Sequence, residues 1–332
     1  MKSPNPPLLD STILLTGGTG SFGQAFIDFL MAKKNFEGTI RVFSRGEYEQ
    51  YQLQQRYLND PRLRFLIGDV REKDRLHRAM QGVNIIIHAA ALKHITIAEY
   101  NPFEVIKTNI IGSQNVVEAA IDAKIKQTIL ISSDKAAYPI SLYGATKLAA
   151  ERIFVQGNIY VSNQQTTFAV VRLGNIIGSR GSVIPLFEKQ RQSGILSLTH
   201  PDMTRFWITP SQAASFVLMS LSKMKGGEIF VPKLPSIKVI DLARTIAPGA
   251  KYQFTGVRQN EKIHEELMTE QELKSSVMFD NYYIIYPETE NKFIHISKEN
   301  QNKEKLYRSD NNPWQLNQEE IKSLLKLSVS PG

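Results

Sequence analysis

A short apolar segment that runs directly into a glycine-rich turn constrains this chain more than any other feature. Residues 12–15 have the composition of a β-strand, residues 16–23 read TGGTGSFG, and apolar side chains then recur with helical spacing. The glycines of the turn fit both common spacings, with Gly18, Gly20 and Gly23 or with Gly17, Gly20 and Gly23. Strand, glycine turn and helix in this order let backbone amides approach a pyrophosphate at a helix N-terminus. We therefore predict a dinucleotide-binding unit here.

Strand-like and helix-like segments alternate along the first half of the chain. Further strands are predicted at 40–43, 63–67, 83–88, 128–131 and 167–172, and helices near 21–34, 46–58, 71–80, 101–122 and 141–157. This alternation predicts an α/β fold, a Rossmann-like doubly wound parallel sheet. Shorter elements and prolines beyond it predict a smaller α/β C-terminal region that binds the substrate. We expect two interwoven regions, 10–172 and 173–332, with helices at 183–192 and 313–327 and a polar exposed segment at 298–305.

The end of the second predicted strand should choose between NAD and NADP. An NAD site usually carries an acid there for the ribose 2′-hydroxyl, whereas this chain has Ser44 and Arg45. Because a guanidinium suits a 2′-phosphate, we predict NADP, with NAD as the less favoured cofactor and a plain surface arginine as the other interpretation. After the third strand, Asp69 should reach the adenine amino group or cap the next helix.

Small residues follow the fourth predicted strand. Ala89, Ala90 and Ala91 would let the nicotinamide ribose of the cofactor lie close to the sheet. His88 should be packed or hydrogen-bonded, and no metal site is predicted, because the six histidines show no ligand spacing and cysteine is absent. Lys93 points to the same cleft, and chemistry alone assigns it no role.

The segment after the fifth predicted strand brings together an acid, an amine and a phenol. Asp134 and Lys135 follow that strand closely, and Tyr143 and Lys147 are four residues apart, on one face of a helix. Lys147 can hold a cofactor ribose and lower the pKa of the Tyr143 phenol, which then takes a proton from a substrate alcohol. A solvated helix face and a surface ion pair would give the same residues by chance. The preceding strand and the glycine turn favour a catalytic site.

Composition indicates a folded chain of one large domain or two. The 332 residues are 42% hydrophobic, which supplies a full core, and the absence of cysteine excludes disulfides and fits a cytoplasmic protein. We predict no signal peptide at residues 1–10 and no membrane span, since no run reaches about 18 apolar residues. The net charge of +8 is dispersed, so we expect anionic small molecules rather than nucleic acid as ligands.

These motifs closely resemble the extended short-chain dehydrogenase/reductase family, from about residue 10 to 325. Within it they are similar to the inverting UDP-N-acetylglucosamine 4,6-dehydratases that open pseudaminic acid biosynthesis. The most specific matches are SDKAA at 133–137 and EKIHEE at 261–266. Two positions depart from the pattern. Residues 257–260 read VRQN where the family usually has Arg-Pro-Gly, and Tyr138 stands where asparagine is common.

The resemblance implies an NADP-dependent lyase that acts on a UDP-sugar and forms a homo-oligomer, from dimer to hexamer. Tyr143 would take the O4 proton, Lys135 would remove the C5 proton, and Asp134 would protonate the leaving C6 hydroxyl. Lys135 replaces the glutamate of retaining relatives, which implies inversion at C5. As a base it must be neutral, a state that burial and a nearby cation would promote.

The resemblance also implies two sets of contacts. The cofactor contacts are Gly17, Thr19, Gly20, Ser21, Phe22, Gly23, Ser44, Arg45, Asp69, Val70, Ala89, Ala90, Ala91, Lys93, Asn109, Ser132, Tyr143 and Lys147. The substrate contacts are Lys93, Asn175, Val183, Pro185, Thr199, Arg205, Arg258 and Glu261.

Three other functions fit parts of the pattern. A UDP-sugar 4-epimerase or reductase of the same fold needs the glycine turn, Tyr143 and Lys147, but not Asp134 with Lys135. A nucleotide-sensing regulator would have no use for a phenolate at Tyr143. A nucleic-acid binder is supported by the net charge alone.

Overall fold

The computed structural model describes residues 8–161, 166–287 and 307–328. The strands, in chain order, are β1 Thr12–Thr16, β2 Thr39–Ser44, β3 Leu63–Ile67, β4 Ile85–His88, β5 Gln127–Ser133, β6 Thr167–Leu173, β7 Asn175–Ile176, β8 Ile195–Leu198, β9 Thr204–Ile208, β10 Ile229–Pro232, β11 Ser236–Lys238, β12 Lys251–Phe254, β13 Glu266–Met268, β14 Ser276–Met278, β15 Tyr282–Ile285 and β16 Tyr307–Arg308. The α-helices are α1 Ser21–Met31, α2 Glu47–Arg56, α3 Lys73–Ala79, α4 Ile95–Tyr100, α5 Pro102–Ile106, α6 Gly112–Asp122, α7 Leu142–Gly157, α8 Val183–Arg191, α9 Pro210–Lys223, α10 Val239–Ile246, α11 Glu270–Lys274 and α12 Gln318–Ser328.

One large sheet organises the described residues. It has nine strands in the order β3-β2-β1-β4-β5-β6-β10-β15-β14 within that part of the chain. Neighbours from β3 to β10 are parallel, and β15 and β14 add antiparallel strands at one edge. The predicted Rossmann-like parallel sheet is therefore confirmed. The strand order reverses at β1, so a crevice opens beyond the carboxyl ends of β1 and β4, where open α/β sheets bind ligands.

Buried apolar runs explain why these segments form central strands. Ile13, Leu14 and Leu15 of β1 are fully buried, and every residue of β4 is buried. Strands covered on both faces by helices lose the alternation of polar and apolar residues that an exposed face would require. In α1, the buried residues Phe26, Ile27 and Leu30 share one face and belong to the same core as the strands of the large sheet.

A second core lies under the smaller sheets of the C-terminal half. β11, β9 and β7 form one sheet and β8 pairs with β12, while apolar residues of α8, α10 and α12 pack together beneath them. β10, β14 and β15 return to the large sheet, so the chain passes back and forth between the two regions. None of the helices in the described ranges is long and apolar enough to cross a membrane.

Two segment predictions need adjustment. The helix predicted at 313–327 begins later, at Gln318, because the Asn317 side chain accepts hydrogen bonds from the N–H groups of Glu319 and Glu320 and caps it there. The helix predicted at 101–122 contains a π-helical turn, Lys107–Ile111, between α5 and α6. The polar segment predicted at 298–305 lies outside the described residues.

A buried arginine joins the two halves of the chain. Arg172 at the end of β6 has no exposed surface. Its Nη2 donates to Glu151 Oε2 on α7 at 2.6 Å and to Glu272 Oε1 on α11 at 2.9 Å, and Nη1 donates to the carbonyl of Leu267 at 2.9 Å. Two carboxylates and a carbonyl thus satisfy a guanidinium that would otherwise be buried at a cost of several kcal/mol, ~20 in the idealised limit.

We expect Glu151→Gln to destabilise the protein strongly. It leaves the Arg172 charge only partly compensated in the core, and breaking a buried pair typically costs about 3–5 kcal/mol. Thermal unfolding followed by circular dichroism measures the loss. Glu188→Gln is the matched control, because the Glu188–Arg191 pair is 3.8 Å apart and more than half exposed, and an exposed pair contributes about 0–1 kcal/mol. Equal melting temperatures for the two variants would contradict this account.

Candidate functional site

The glycine turn between β1 and α1 has no room for a side chain at Gly17 or Gly23. Gly17 has a φ of +67°, and a Cβ there would lie 2.7 Å from the backbone nitrogen of Ala90. A Cβ on Gly23 would lie 2.5 Å from Gly18. The first glycine therefore allows the turn to approach the end of β4, and the last allows α1 to pack closely on the turn.

A cleft of about 600 Å³ opens above this turn. Ten of the residues predicted to bind the cofactor line it: Gly17, Thr19, Gly20, Ser44, Arg45, Asp69, Val70, Ala89, Ala90 and Ala91. The sequence did not indicate six further lining residues, Phe43, Gly46, Glu49, Gly68, Thr108 and Arg180. Size, backbone amides and the N-terminus of α1 fit a dinucleotide.

Opposite charges meet where the second and third strands end. Arg45 Nη1 lies 3.9 Å from Asp69 Oδ2, and the carboxylate of Glu49 lies against Gly46, in the space that a Cβ would fill. The prediction that Asp69 caps the next helix is wrong. α3 begins at Lys73, and Asp69 instead accepts hydrogen bonds from the backbone N–H and the Nε of Arg71, at 3.0 and 2.8 Å. This end of the cleft carries both a cation and an acid.

Arg180 reaches the cleft from the C-terminal half. Its backbone N–H donates to Ser21 Oγ at 2.9 Å, and its Nη2 donates to the carbonyl of Thr19. Both partners belong to the N-terminal glycine turn or the helix that follows it. A single arginine in a glycine-rich loop gave no sequence signal, because its partners are about 160 residues away.

Several predicted cofactor residues lie beside this cleft rather than along it. The Asn109 amide holds the chain after β4, since its Oδ1 accepts from Leu92 N at 2.8 Å and its Nδ2 donates to Leu92 O and Thr146 Oγ1. The remaining residues of that kind are Ser21, Phe22, Gly23, Lys93, Ser132, Tyr143 and Lys147. Burial, with the charges of Arg180 and Lys135 adding, lowers the pKa of Lys93. Contact of these residues with the cofactor stays a prediction.

His88 is part of the structure beneath the cleft. It is fully buried, and its ring nitrogens lie 2.7 Å from Thr16 Oγ1 and 3.1 Å from Ser113 Oγ. Burial, with the charge of Lys147 adding, lowers the pKa of His88 to about 3, so the ring is neutral. The described residues contain no cluster of His, Cys, Asp or Glu that could hold a metal ion.

Tyr143 and Lys147 lie on the buried face of α7, beside β5. Lys147 Nζ donates to the carbonyl of Ile131 at 2.7 Å, and burial lowers the pKa of Lys147 to about 8. Burial raises the pKa of Tyr143 to about 12, with Lys135 and Ser133 acting to lower it. Lys135 is thus a cation that favours the phenolate, whereas the Lys147 amine is turned to the strand. The effect of Lys147 on the phenol stays a prediction.

Asp134 and Lys135 occupy a single 3₁₀ turn directly after β5. Lys135 Nζ donates to Asp134 Oδ1 at 2.8 Å and to Asn175 Oδ1 at 3.3 Å, and it lies 3.3 Å from Glu265 Oε1. Burial disfavours the charge, but the carboxylates of Asp134 and Glu265 outweigh it and raise the pKa of Lys135. The expectation that its surroundings make this amine neutral is wrong for the structure as it stands.

A second cleft, of about 510 Å³, adjoins the Lys135 turn. Seven of the eight predicted substrate residues line it, Asn175, Val183, Pro185, Thr199, Arg205, Arg258 and Glu261, and Lys93 does not. A cavity of about 90 Å³ next to Lys135 and Glu265 shares three of these residues, Asn175, Arg205 and Glu261. A ligand in the larger cleft would therefore extend towards Lys135.

Trp207 and Glu265 are site residues that the sequence did not predict. Trp207 lines the larger cleft, and its buried Nε1 has no hydrogen-bond partner among the described residues. Glu265 sits inside the EKIHEE motif, whose first glutamate alone was assigned a contact. Their position at the site depends on the packing of β9 against the segment before β13, which the sequence does not indicate.

Tyr138, where the family commonly has asparagine, has an unfavourable backbone conformation but makes a hydrogen bond. Its φ of +45° lies in the left-handed region, which asparagine tolerates better than tyrosine. Its hydroxyl accepts a hydrogen bond from the N–H of Glu270 at 3.1 Å. Tyr138 thus ties the segment after Lys135 to the first turn of α11.

Comparison with known proteins agrees with this geometry. Residues 13–287 match the family described as "Polysaccharide biosynthesis protein". The chain belongs to this family, within the extended short-chain dehydrogenases/reductases. It is 44% identical over 325 residues to "UDP-N-acetylglucosamine 4,6-dehydratase (inverting)" of Campylobacter jejuni, covering 94% of this chain and 96% of that one. It is also 38% identical over 329 residues to "UDP-glucose 4-epimerase" of Rickettsia felis, covering 96% of each chain.

A solved structure supports the architecture. The X-ray structure of Pen from Bacillus thuringiensis superposes with a TM-score of 0.87 at 37% identity, covering 96% of this chain and 98% of that chain. The large sheet and the C-terminal region are thus both shared.

We expect Gly17→Ala to abolish tight cofactor binding. Its Cβ would meet Ala90 backbone, which cannot move without shifting the end of β4. Gly249→Ala is the matched control, because Gly249 also has a positive φ, +80°, but nothing lies within 4 Å of its Cβ position. Both variants bear the strain of about 1–2 kcal/mol for alanine in this region, so calorimetric titration with the dinucleotide isolates the contact. Equal affinities for the two variants would sink the assignment.

Proposed function

We propose that this protein is a UDP-N-acetylglucosamine 4,6-dehydratase that inverts the configuration at C5. The observation that carries the proposal is the Asp134–Lys135 turn, which lies beside Tyr143 and shares a wall with the cleft of predicted substrate residues. The 44% identity to the Campylobacter dehydratase along nearly the whole chain supports the same reaction. The product would be a 6-deoxy-4-keto sugar nucleotide of the L-arabino configuration, an intermediate for pseudaminic acid or a related deoxysugar.

The residues of the first cleft fit a nicotinamide dinucleotide. Gly17 and Gly20 add no side chains where a pyrophosphate would approach the turn, and Ala89 to Ala91 leave room at the ends of the central strands. Lys147 would hold the ribose of the nicotinamide. The chemistry that a bound nicotinamide supplies is removal of a hydride from C4 and its return to C6.

The chain itself would move three protons. Tyr143 takes the proton of the C4 hydroxyl, which requires its phenolate, and Lys135 is the cation near it that favours that form. Once C4 is a ketone, the C5 proton is acidic, and Lys135 removes it while Asp134 protonates the C6 hydroxyl that leaves as water. C5 is then reprotonated on the opposite face by a proton from the solvent. Arg205 and Arg258 would bind the diphosphate, and Glu261 a ribose hydroxyl of the uridine.

Choice of cofactor would depend on Arg45 and Glu49. The guanidinium of Arg45 suits the 2′-phosphate of NADP, whereas the Glu49 carboxylate next to Gly46 would repel it and could accept a hydrogen bond from the 2′-hydroxyl of NAD. We favour NADP, because Arg45 stands where an NAD site usually has an acid. Glu49 should reduce the difference in affinity between NADP and NAD.

We expect Arg45→Asp to weaken NADP binding by about tenfold and to spare NAD, and Glu49→Gln to strengthen NADP binding. A charge-assisted hydrogen bond contributes about 1.5–3 kcal/mol, reduced here because the Arg45 side chain is 54% exposed. Fluorescence titration of both variants with both cofactors measures this. Equal losses for NAD and NADP in Arg45→Asp would contradict the NADP assignment.

We also propose a homo-oligomer. The aromatic side chains Tyr100 and Phe103, 90% and 75% exposed, are three residues apart in sequence at the junction of α4 and α5, and exposed apolar side chains suit contact with a second copy. A location in the cytoplasm stays a prediction.

The decisive assay follows UDP-N-acetylglucosamine in deuterium oxide by proton NMR. We expect a 6-deoxy-4-keto product with deuterium at C5. Lys135→Met keeps the side-chain volume and removes the amine, so elimination should fall by about 10²–10⁴-fold, the usual contribution of a positioned base. C4 oxidation should fall less, because it loses only the effect of the Lys135 charge on the Tyr143 phenolate. Lys107→Met, on an exposed lysine paired with Glu104, is the control.

Each other outcome has a distinct meaning. A C4 epimer would favour the epimerase named among the relatives. A D-xylo product, or full elimination by Lys135→Met, would overturn the inverting mechanism.

A further inference from the structure

Lys135 is surrounded by oxygens that match its charged form. Asp134 Oδ1 at 2.8 Å, Asn175 Oδ1 at 3.3 Å and Glu265 Oε1 at 3.3 Å surround Nζ. An ammonium has three protons to donate, and here Nζ donates two hydrogen bonds, to Asp134 and Asn175, and forms an ion pair with Glu265. A C5 base needs the opposite state, a free electron pair on Nζ. The site must therefore contain a means of taking a proton from Lys135.

The carboxyl groups around Lys135 outnumber the cations that compensate them. Asp134, Glu261 and Glu265 share Lys135 and Arg205, whose Nε lies 3.7 Å from Glu265 and whose Nη2 lies 3.5 Å from Glu261. Lys262 is occupied by Glu266, at 2.6 Å. A buried negative charge in excess is costly, so we expect one of the three carboxyls to hold a proton.

Glu265 is the carboxyl that fits this role. Asp134 Oδ1 accepts two short hydrogen bonds, from Ser133 Oγ at 2.7 Å and from Lys135 at 2.8 Å, which stabilise its anion. Glu265 is 2% exposed, and its Oε1 has only the longer contacts, at 3.3 Å to Lys135 and 3.7 Å to Arg205. The second oxygen of each of the three carboxyls has no hydrogen-bond partner among the described residues, so the contacts of the first oxygen distinguish Glu265 from Asp134. Burial raises the pKa of Glu265, and the charge of Asp134 adds to this, against the lowering by Lys135, Arg205 and Lys262.

We propose that Glu265 is a positioning residue that carries a proton during dehydration and so allows Lys135 to pass its own proton to Asp134. This inference rests on the proposed dehydration. In the transfer, an Nζ–H bond breaks and an O–H bond forms on Asp134, so ammonium and carboxylate become amine and carboxylic acid without a change in total charge. The amine then takes the C5 proton, and the acid gives its proton to the leaving C6 hydroxyl. The pair is thereby returned to its starting charges.

An ionised Glu265 would block this transfer. A negative charge 3.3 Å from Nζ favours the ammonium, and such a neighbour shifts a pKa by about 1–3 units. Elimination by the native protein should therefore fall as the pH rises through the pKa of Glu265. The charged and titratable groups that face Glu265 are Asp134 and Lys135 after β5, Tyr143 on α7, Arg205 on β9, and Glu261 and Lys262 on its own segment.

Glu265→Gln tests the inference, because an amide resembles the protonated carboxyl and cannot ionise. We expect single-turnover elimination in Glu265→Gln to proceed at neutral pH and to lose the alkaline fall. At the alkaline end its rate should exceed that of the native protein by about tenfold. Glu266→Gln is the matched control, since Glu266 is the next residue and bonds Lys262 instead. Its pH profile should follow that of the native protein.

A spectroscopic readout separates this inference from the proposed function. The infrared band of a protonated carboxylic acid should be present in the native protein, disappear on raising the pH, and be absent from Glu265→Gln but present in Glu266→Gln. Elimination without that band, an unchanged pH profile in Glu265→Gln, or loss of elimination in Glu265→Gln with C4 oxidation intact would each overturn the role of Glu265. If the native protein shows the band but never eliminates water, the result would instead contradict the proposed dehydratase function.

Discussion

The charge of Arg172 ties α7 to the rest of the molecule. Its guanidinium lies in the interior between Glu151 on α7 and Glu272 on α11. α7 also carries Tyr143 and Lys147, and α11 begins where the Tyr138 hydroxyl accepts its hydrogen bond. The side chains that would handle protons are thus placed by an ion network that spans both regions. Such a network is costly to assemble, but it leaves few alternative positions for α7.

The charge states of the side chains at the end of β5 depend on burial and on the carboxylates nearby. Burial opposes the charge on Lys147, Lys135 and Tyr143 alike, yet the three respond differently because only Lys135 has carboxylates at contact distance. Lys147 is left with a lowered pKa and a carbonyl partner, whereas Lys135 is held as an ammonium. Two lysines twelve positions apart in sequence therefore have opposite tendencies to release a proton.

The parts of this structure that depend on local pattern could be predicted from the sequence. The strands and the glycine turn are visible in runs of residues, and the substrate cleft was reached through motif resemblance, residue by residue. Contacts between distant segments left no such trace. Arg180 on the glycine turn, Glu265 beside Lys135 and the position of the Asp69 carboxylate all depend on how loops from different strands meet. The charge state of Lys135 was misjudged for that reason, because its second carboxylate lies 130 residues away.

The loop at 178–182 lies between the two clefts. Arg180 lines the dinucleotide cleft, while Ser179, Gly181 and Ser182 line the cleft of the substrate residues. A ligand that contacts this loop in one cleft also restricts the side of the loop that faces the other cleft, because the loop is only five residues long. In a reaction that restores its oxidant in every cycle, exchange of the dinucleotide with the surrounding pool serves no purpose. Binding of the sugar nucleotide to this loop would therefore slow dissociation of the dinucleotide.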